Sequence, residues 1–441
     1  MYYNNKKLVL FSCAFFLFNS VNAQQNTKIS MSLNQIWEKV TANNRTIQMQ
    51  DLSVKRTVEG IKDAKAERLP EISAEGEYAK VSNMPIYDNG LFHTPSQFEV
   101  VHTSYSFGGN AYFNLYNGNK TNIKIAEEKK ENEIAIEHRN LTTAEIKLRA
   151  TAYFLDLQRS NIFKALLLKD ISDQEKQLEE IRQLLKNGVV LKSDVLRVTL
   201  KLSRQKMALV QLNNDLTIAN QKLNILTGLP DETVIEPVAD TAADLPVLKP
   251  YATYLSDAMA HSFAYKISEK ETELRKLELK NVKANVSFKL GLFATYSYSY
   301  PQIFIYPYSI SLYGLGMAGV KASFPISALY HNTHKARAAG LKYQQQEVEH
   351  SDTEDKIRQE VNEAYLRYQE SLTRIDVAKE NISQATENLR IVNNTYFNQL
   401  ALVTDLLDAD TQLLQTRFDY AAARIAAQLQ FYQLQKAIGN L

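Results

Sequence analysis

The sequence predicts a mainly α fold with membrane β: long coiled-coil helical hairpins, two β-hairpins, and an internal duplication. Three observations carry that prediction. Residues 119–187 and 341–438 contain neither Gly nor Pro and are rich in Leu, Ala, Glu, Gln and Lys, all good helix formers. Residues 286–300 lose that character and alternate apolar with mostly polar side chains, the two-residue period of a strand. Finally, the stretch that starts NGVVLKSDVL at Asn187 is echoed 211 residues later by NQLALVTDLL at Asn398.

Taken in order, the chain opens with Lys6 and Lys7, an apolar run from Leu8 to Phe18, and Val21-Asn22-Ala23. These are the parts of a secretory signal over residues 1–23, the apolar run being shorter than the ~20 residues a membrane helix needs. The only cysteine, Cys13, lies inside it, so a mature chain has no thiol for disulfide, metal or nucleophile. A lipid-anchored Cys13 is disfavoured because the greasy AFFLF would follow it. Loss of Lys6 and Lys7 from 51 basic residues leaves 49 against 49 acidic. Nothing in that balance points to nucleic acid. No later segment is apolar enough for a membrane helix, so any passage through a bilayer must be made by strands.

A first repeat is expected over 24–230, with a β-hairpin at about 71–114. A polar linker follows at 231–251, then a second repeat over 252–441 with a hairpin at about 286–324. An uninterrupted helix of about 65 residues would be roughly 100 Å long, which calls for an elongated architecture. Heptad spacing shows how such helices pack. Val195, Leu202, Leu209, Leu216 and Leu223 recur every seven residues, with Val198, Leu212, Ala219 and Leu226 at the companion positions and Gln205 as the polar exception. Shifted by 211, the seam becomes Leu406, Leu413, Tyr420, Ala427 and Leu434. A second row, Leu407, Leu414, Phe418, Ala421, Ile425 and Tyr432, runs beside it. Two seams with two partners, or one broad face in a bundle, both satisfy this periodicity. Seven of the 47 residues in 184–230 are identical in 395–441, among them Asp194/Asp405 and Gly228/Gly439, which is the mark of architectural duplication.

In the second hairpin only Phe293 interrupts the alternation, and Tyr296, Tyr298 and Tyr300 cluster at its end as an aromatic membrane girdle would. Two hairpins supply four strands per chain. Four cannot close a barrel, because known membrane barrels need at least eight, and open edges in lipid leave backbone groups unpaired at several kcal/mol each. Membrane strands here therefore require more than one copy of the chain.

At this point the chain resembles the TolC-like family of outer-membrane efflux proteins. The resemblance covers essentially all of the mature chain. NGVVLKSDVL, TDLLDADTQLLQTRFDYAAARIAAQLQFYQLQKAIG, FNLYNGNKTNIKIAEEKKE and FPISALYHNTHKARAAGLKYQQQE carry it most specifically. It implies a homotrimer whose pooled strands form a transmembrane β-barrel in outer-membrane lipid, and whose helices form a periplasmic α-barrel. It also implies a periplasmic adaptor (membrane fusion protein) and an inner-membrane pump as partners, in the outer membrane of a Gram-negative bacterium. Each helical hairpin would turn at the periplasmic tip.

The same resemblance assigns site residues. Asp405 and Asp408 match the acidic pair of a pore constriction, where three copies would form carboxylate rings that attract cations; apart from that match the sequence favours reading them as solvated helix-start acids. Ser193 and Asp194 match the polar pair that closes the first tip by hydrogen bonding. Gly188, Val189, Leu191, Leu400 and Leu402 are expected adaptor contacts. The chain departs from the pattern at Gln399, which stands where the first turn has Gly188, and at Ala401, where well-known members carry arginine. His331 and His334 share the i, i+3 spacing of a metal pair but lack a third ligand. No phosphate loop or nucleophile elbow occurs, so neither enzyme nor cofactor is expected. The competing reading is a coiled-coil envelope tether that forms no pore, and the alternating strand at 286–300 argues against it.

Overall fold

A computed structural model describes residues 28–238, 245–302 and 309–441. The leader expected over 1–23, Cys13 within it, and the aromatic run from Ile303 to Tyr308 lie outside the described residues. In chain order the elements are β1 (Lys28–Met31), α1 (Leu33–Asn43), α2 (Arg45–Ala66), β2 (Glu71–Lys80), β3 (Met84–Ile86), β4 (Ser96–Phe98) and β5 (Thr103–Tyr116). Then come α3 (Lys120–Lys186), α4 (Lys192–Thr227), β6 (Val234–Pro237), α5 (Tyr251–His261), α6 (Phe263–Lys283), β7 (Lys289–Tyr300), β8 (Tyr313–Ser323), α7 (Ala328–Phe397) and α8 (Val403–Ala437). The first Gly- and Pro-free tract is α3, of 67 residues; the second covers most of α7, of 70 residues, together with α8, of 35.

The chain divides into two compact units. Among the described residues the first takes 28–48, 143–238, 245–258 and 360–441, and most of its packing is apolar. One core gathers Ile36 and Val40 of α1, Ile146, Ala150 and Phe154 of α3, Leu223 and Leu226 of α4, Ile235 of β6 and Ile425 of α8. A second gathers Leu167, Ile171, Leu178 and Ile181 of α3, Val198 and Leu202 of α4, Tyr396 of α7, and Val403, Leu406 and Leu407 of α8. Within one chain α8 buries residues of both its apolar rows, Leu406, Leu413, Ala427 and Leu434 from one, Leu407, Ala421 and Ile425 from the other. Helix α4 buries one row and leaves Leu196, Leu200, Met207 and Val210 exposed.

Segment 231–251, read from sequence as a linker, carries β6. That strand pairs in parallel with β1, Ile29 opposite Ile235, and α4 holds it there. The Asn220 side chain donates to the Thr233 carbonyl and accepts from the Ile235 N–H at 2.8 Å, while Asn224 donates to the same carbonyl at 2.8 Å. Ser32 caps α1 reciprocally: its backbone N–H donates to Gln35 Oε1 at 2.9 Å and its hydroxyl accepts from the Gln35 N–H at 3.4 Å.

The second unit takes residues 49–142 and 259–359. Its sheet has the order β2-β5-β7-β8, antiparallel throughout. The two hairpins are thus joined through β5 and β7, with β2 and β8 as the margins. At Gly108 a Cβ would collide with the Tyr296 carbonyl oxygen, so only glycine lets β5 approach β7 there. The first hairpin makes an excursion through β3 and β4, paired Met84 with Phe98. The second is shorter than its alternation suggests. Ala284–Val286 form a 3-10 turn closed by Ser287 N–H to Ala284 O at 3.1 Å, so β7 starts at Lys289. Strand β8 ends before Phe324-Pro325, proline having no N–H for the ladder.

The helices of this unit are held largely by polar contacts. Arg139 pairs with Asp51 at 3.0 Å, Lys130 with Glu273 at 2.6 Å, Lys270 with Glu137 at 3.4 Å and Lys342 with Glu278 at 3.0 Å. Among the described residues, no helix is long and apolar enough to cross a membrane.

Leu223 is fully buried, so Leu223→Ala is expected to lose about 2–5 kcal/mol. The loss is read as a lower urea midpoint in detergent; a change below about 0.5 kcal/mol would remove Leu223 from the core.

Candidate functional site: a two-faced sheet and two helix turns

Residues opposite one another in an antiparallel register share a face, which sorts the sheet side by side. One face carries Ile72, Ala74 and Tyr78 of β2, Tyr105, Phe107 and Ala111 of β5, Leu292 and Ala294 of β7, and Ala318 and Val320 of β8. The opposite face carries Glu71, Ser73, Glu75 and Glu77 of β2, Ser106, Asn110 and Tyr112 of β5, Phe293, Thr295, Ser297 and Ser299 of β7, and Tyr313, Leu315, Met317 and Lys321 of β8, so it is acidic at β2, mostly polar along β5 and β7, and mixed at β8. The expected girdle residues Tyr296, Tyr298 and Tyr300 lie on the apolar face and are brought together with β5. Tyr300 stacks on Tyr105 at 5.0 Å between centroids, Tyr298 on Phe107 at 5.1 Å, and Tyr296 meets Tyr298 edge-on at 5.3 Å. Tyr105 and Phe107 do not stand out in the sequence, because β5 is interrupted by Gly108 and Gly109 and alternates less plainly.

The first unit contains the other candidate elements, the α3–α4 and α7–α8 turns. They are built alike. Gly188 has φ 73° and Gln399 φ 63°. At the first turn Val189 N–H donates to Leu184 O at 2.9 Å and Gly188 N–H to Leu185 O at 3.0 Å. At the second, Leu400 donates to Thr395 O at 2.9 Å and Gln399 to Tyr396 O at 2.8 Å. Both are left-handed helix ends of the Schellman type. The next helix then starts with an acid three residues in. Asp194 Oδ2 accepts from Leu191 N–H at 3.2 Å, and Asp405 Oδ2 from Leu402 N–H at 3.1 Å. Leucine at the N-cap has no side-chain acceptor, so each carboxylate satisfies one donor and faces the positive helix end.

Of the residues matched to a constriction, Asp405 therefore caps α8, while Asp408 is exposed. Ser193 Oγ lies 3.5 Å from Asp194 Oδ1. Beside them the Tyr396 hydroxyl is buried with no hydrogen-bond partner, and burial together with the Asp194 charge raises its pKa. Sequence reasoning misses Tyr396, which is one of 24 tyrosines and sits in no distinctive motif. Gly188, Val189, Leu191, Leu400 and Leu402 are all exposed, three of them leucines at 69–79 %. Val190 and Ala401 turn the other way and pack against the second apolar core. Ala401 thus sits in an apolar contact that an arginine would disrupt. His331 lies against the Tyr330 ring at 4.4 Å.

Helical hairpins combined with a four-stranded sheet whose margins are unpaired are the protomer fold of an outer-membrane channel. Residues 36–229 match the family model described as outer membrane efflux protein, in agreement with the resemblance read from the sequence. The fold agrees over nearly the whole chain. The outer-membrane channel OprN superposes with a TM-score of 0.76 at 15 % identity, covering 93 % of this chain and 90 % of its own. CusC, whose structures concern folding and transmembrane channel formation, gives 0.77 at 16 % identity over 93 % and 92 %. The outer membrane protein VceC from Vibrio cholerae gives 0.73 at 15 % identity over 92 % and 96 %. No curated protein matches the sequence. The localisation expected from the sequence, the outer membrane, agrees with the family description.

At φ 63° a side chain is strained where glycine is not. Gln399→Gly is accordingly expected to stabilise the α7–α8 turn by about 1 kcal/mol, measured as slower amide exchange at Leu400. Faster exchange would contradict the left-handed assignment.

Proposed function

We propose that the protein is a homotrimeric outer-membrane duct that conducts exported molecules passively, with an inner-membrane pump supplying the energy through a periplasmic adaptor. The observation that carries this reading is the sheet. One face is apolar, the other is acidic on β2 and mostly polar along β5 and β7, and among the described residues the sheet is unpaired at β2 and β8. In lipid each unpaired backbone group costs several kcal/mol. Three copies joined β8 to β2 satisfy both margins, put the tyrosine-rich face toward lipid, and line a lumen with Glu71, Glu75 and Glu77. The match of residues 36–229 to the efflux-protein family model supports transport rather than catalysis. A tether without a pore has no use for such a sheet.

In this reading the two helix turns form the periplasmic end. Asp405 and Asp408 become carboxylate rings at the constriction, where mutual repulsion and a narrow pore favour cations. Ser193 and Asp194 hold the first turn by hydrogen bonding. The exposed Gly188, Val189, Leu191, Leu400 and Leu402 offer the adaptor an apolar tip.

Two measurements test it. The protein extracted in mild detergent is expected to migrate as a heat-sensitive trimer, whereas a folded, detergent-free monomer would end the proposal. Asp405→Ala with Asp408→Ala is expected to raise single-channel conductance and to abolish block by divalent cations in a planar bilayer. Unchanged conductance and block would exclude these two residues as the constriction.

A further inference from the structure

Inside the first unit, about two to five helical turns from the α3–α4 and α7–α8 turns, five polar side chains meet where heptad packing calls for apolar ones. Lys201 of α4 donates to Asp410 Oδ2 of α8 at 2.5 Å and to the Leu407 carbonyl at 3.0 Å. Gln174 of α3 donates to the same Asp410 oxygen at 2.5 Å, and Gln205 of α4 donates to Asp170 of α3. Asp170, Gln174 and Gln205 are 8 %, 3 % and 8 % exposed. The cluster is short of protons: Gln174 Oε1 and Gln205 Oε1 are buried with no donor, and Lys201, the cation within the cluster, pairs with Asp410.

We propose that this cluster is a proton-operated clasp on α8, in which a proton taken up from solvent at Asp170 tightens the packing of α3, α4 and α8 and its release loosens it. An ionised carboxylate only accepts hydrogen bonds, whereas a carboxylic acid also donates, and donors are what this cluster lacks. The charged groups acting on Asp170 are Asp173 on its own helix, Lys201 on α4, and Asp410 and Arg417 on α8. Burial first, then the Asp410 charge, outweigh Lys201 and Arg417, and the Asp170 carboxyl is pushed up to about 6.

The sign follows from that direction. A carboxyl whose folded-state value lies above its ordinary one favours the packed helices fully below about pH 4. That contribution is lost as pH rises, and the loss levels off above about pH 6. Asp405 and Asp408 stand on the first two turns of α8, so whatever holds α8 holds them. All these contacts lie within one chain, and the clasp therefore stands or falls separately from the trimeric duct.

Amide exchange of residues 403–414 in the full chain in detergent micelles tests it, after correction for intrinsic rates. Protection is expected to be about tenfold lower near pH 7.5 than near pH 5. Asp170→Asn, which stays neutral and can donate, is expected to hold the high protection at both. A flat wild-type profile, or an Asp170→Asn chain that keeps the wild-type dependence, overturns the clasp. Should that variant fail to fold, Gln205→Leu removes a hydrogen bond to the ionised form and is expected to move the levelling-off to higher pH. An unmoved profile there also overturns it.

Discussion

A strand margin carries N–H and C=O groups whose hydrogen bonds must be made somewhere, and β2 and β8 each make theirs on one side only. In water such a margin costs little, because solvent supplies the missing partners. With the apolar face bearing Ile72, Leu292 and Val320 in lipid, as proposed above, no such solvent would exist, and the unpaired ladder would become the largest cost the sheet must meet. The β5–β7 pairing removes two of the four margins that separate hairpins would present. Close contact there depends on Gly108 and is reinforced by the stacked Tyr105–Tyr300 and Phe107–Tyr298 pairs, worth about 0.5–1.5 kcal/mol each beyond their burial. What is left over is one margin at each side of a single sheet, the least that an unclosed sheet can have.

The helices answer a different demand. In the first unit the seam of α4 and both rows of α8 supply apolar packing in two cores, interrupted by the polar cluster around Asp170 and Asp410. In the second unit the helices are joined largely by ion pairs such as Lys130–Glu273, partly exposed, and exposed pairs contribute at most about 1 kcal/mol each. The apolar unit therefore carries most of the helical stability, and it is also the unit that holds the two turns. A turn built on a firm core keeps its capping carboxylates in place.

Much of this was legible in the sequence, and the reason is periodicity. Long helices announce themselves by the absence of Gly and Pro, and β7 by its alternation. Features that rest on single contacts between distant residues left no period to read. The β1–β6 pair is four residues long and exists because Asn220 and Asn224 seize the backbone at Thr233 and Ile235. The 3-10 turn at Ala284–Val286 delays β7 to Lys289, so residues 286–288 of the alternating stretch lie outside the strand. The polar cluster on α3, α4 and α8 left one trace, Gln205 in a seam of leucines. Its partners Lys201 and Asp410 look in isolation like solvated helix charges. The tip residues were legible as two similar turns, but the capping role of Asp405 depends on a backbone N–H that sequence does not display.

The duplication itself shows how those roles separated. Positions that kept their residue do the same structural work in both copies: Asp194 and Asp405 cap, Leu202 and Leu413 fill the seam, Leu223 and Leu434 are buried. Positions that diverged carry charge. The first helix start has Lys192, Arg197 and Lys201, where the second has Val403, Asp408 and Gln412, and Asp410 stands opposite Thr199 in the repeat. One copy became basic and the other acidic just beyond a shared turn. The 2.5 Å Lys201–Asp410 pair joins two non-equivalent positions, since Lys201 aligns with Gln412 and Asp410 with Thr199. Divergence at both positions placed opposite charges where α4 and α8 pack against each other, whereas like charges there would have pushed the two helices apart.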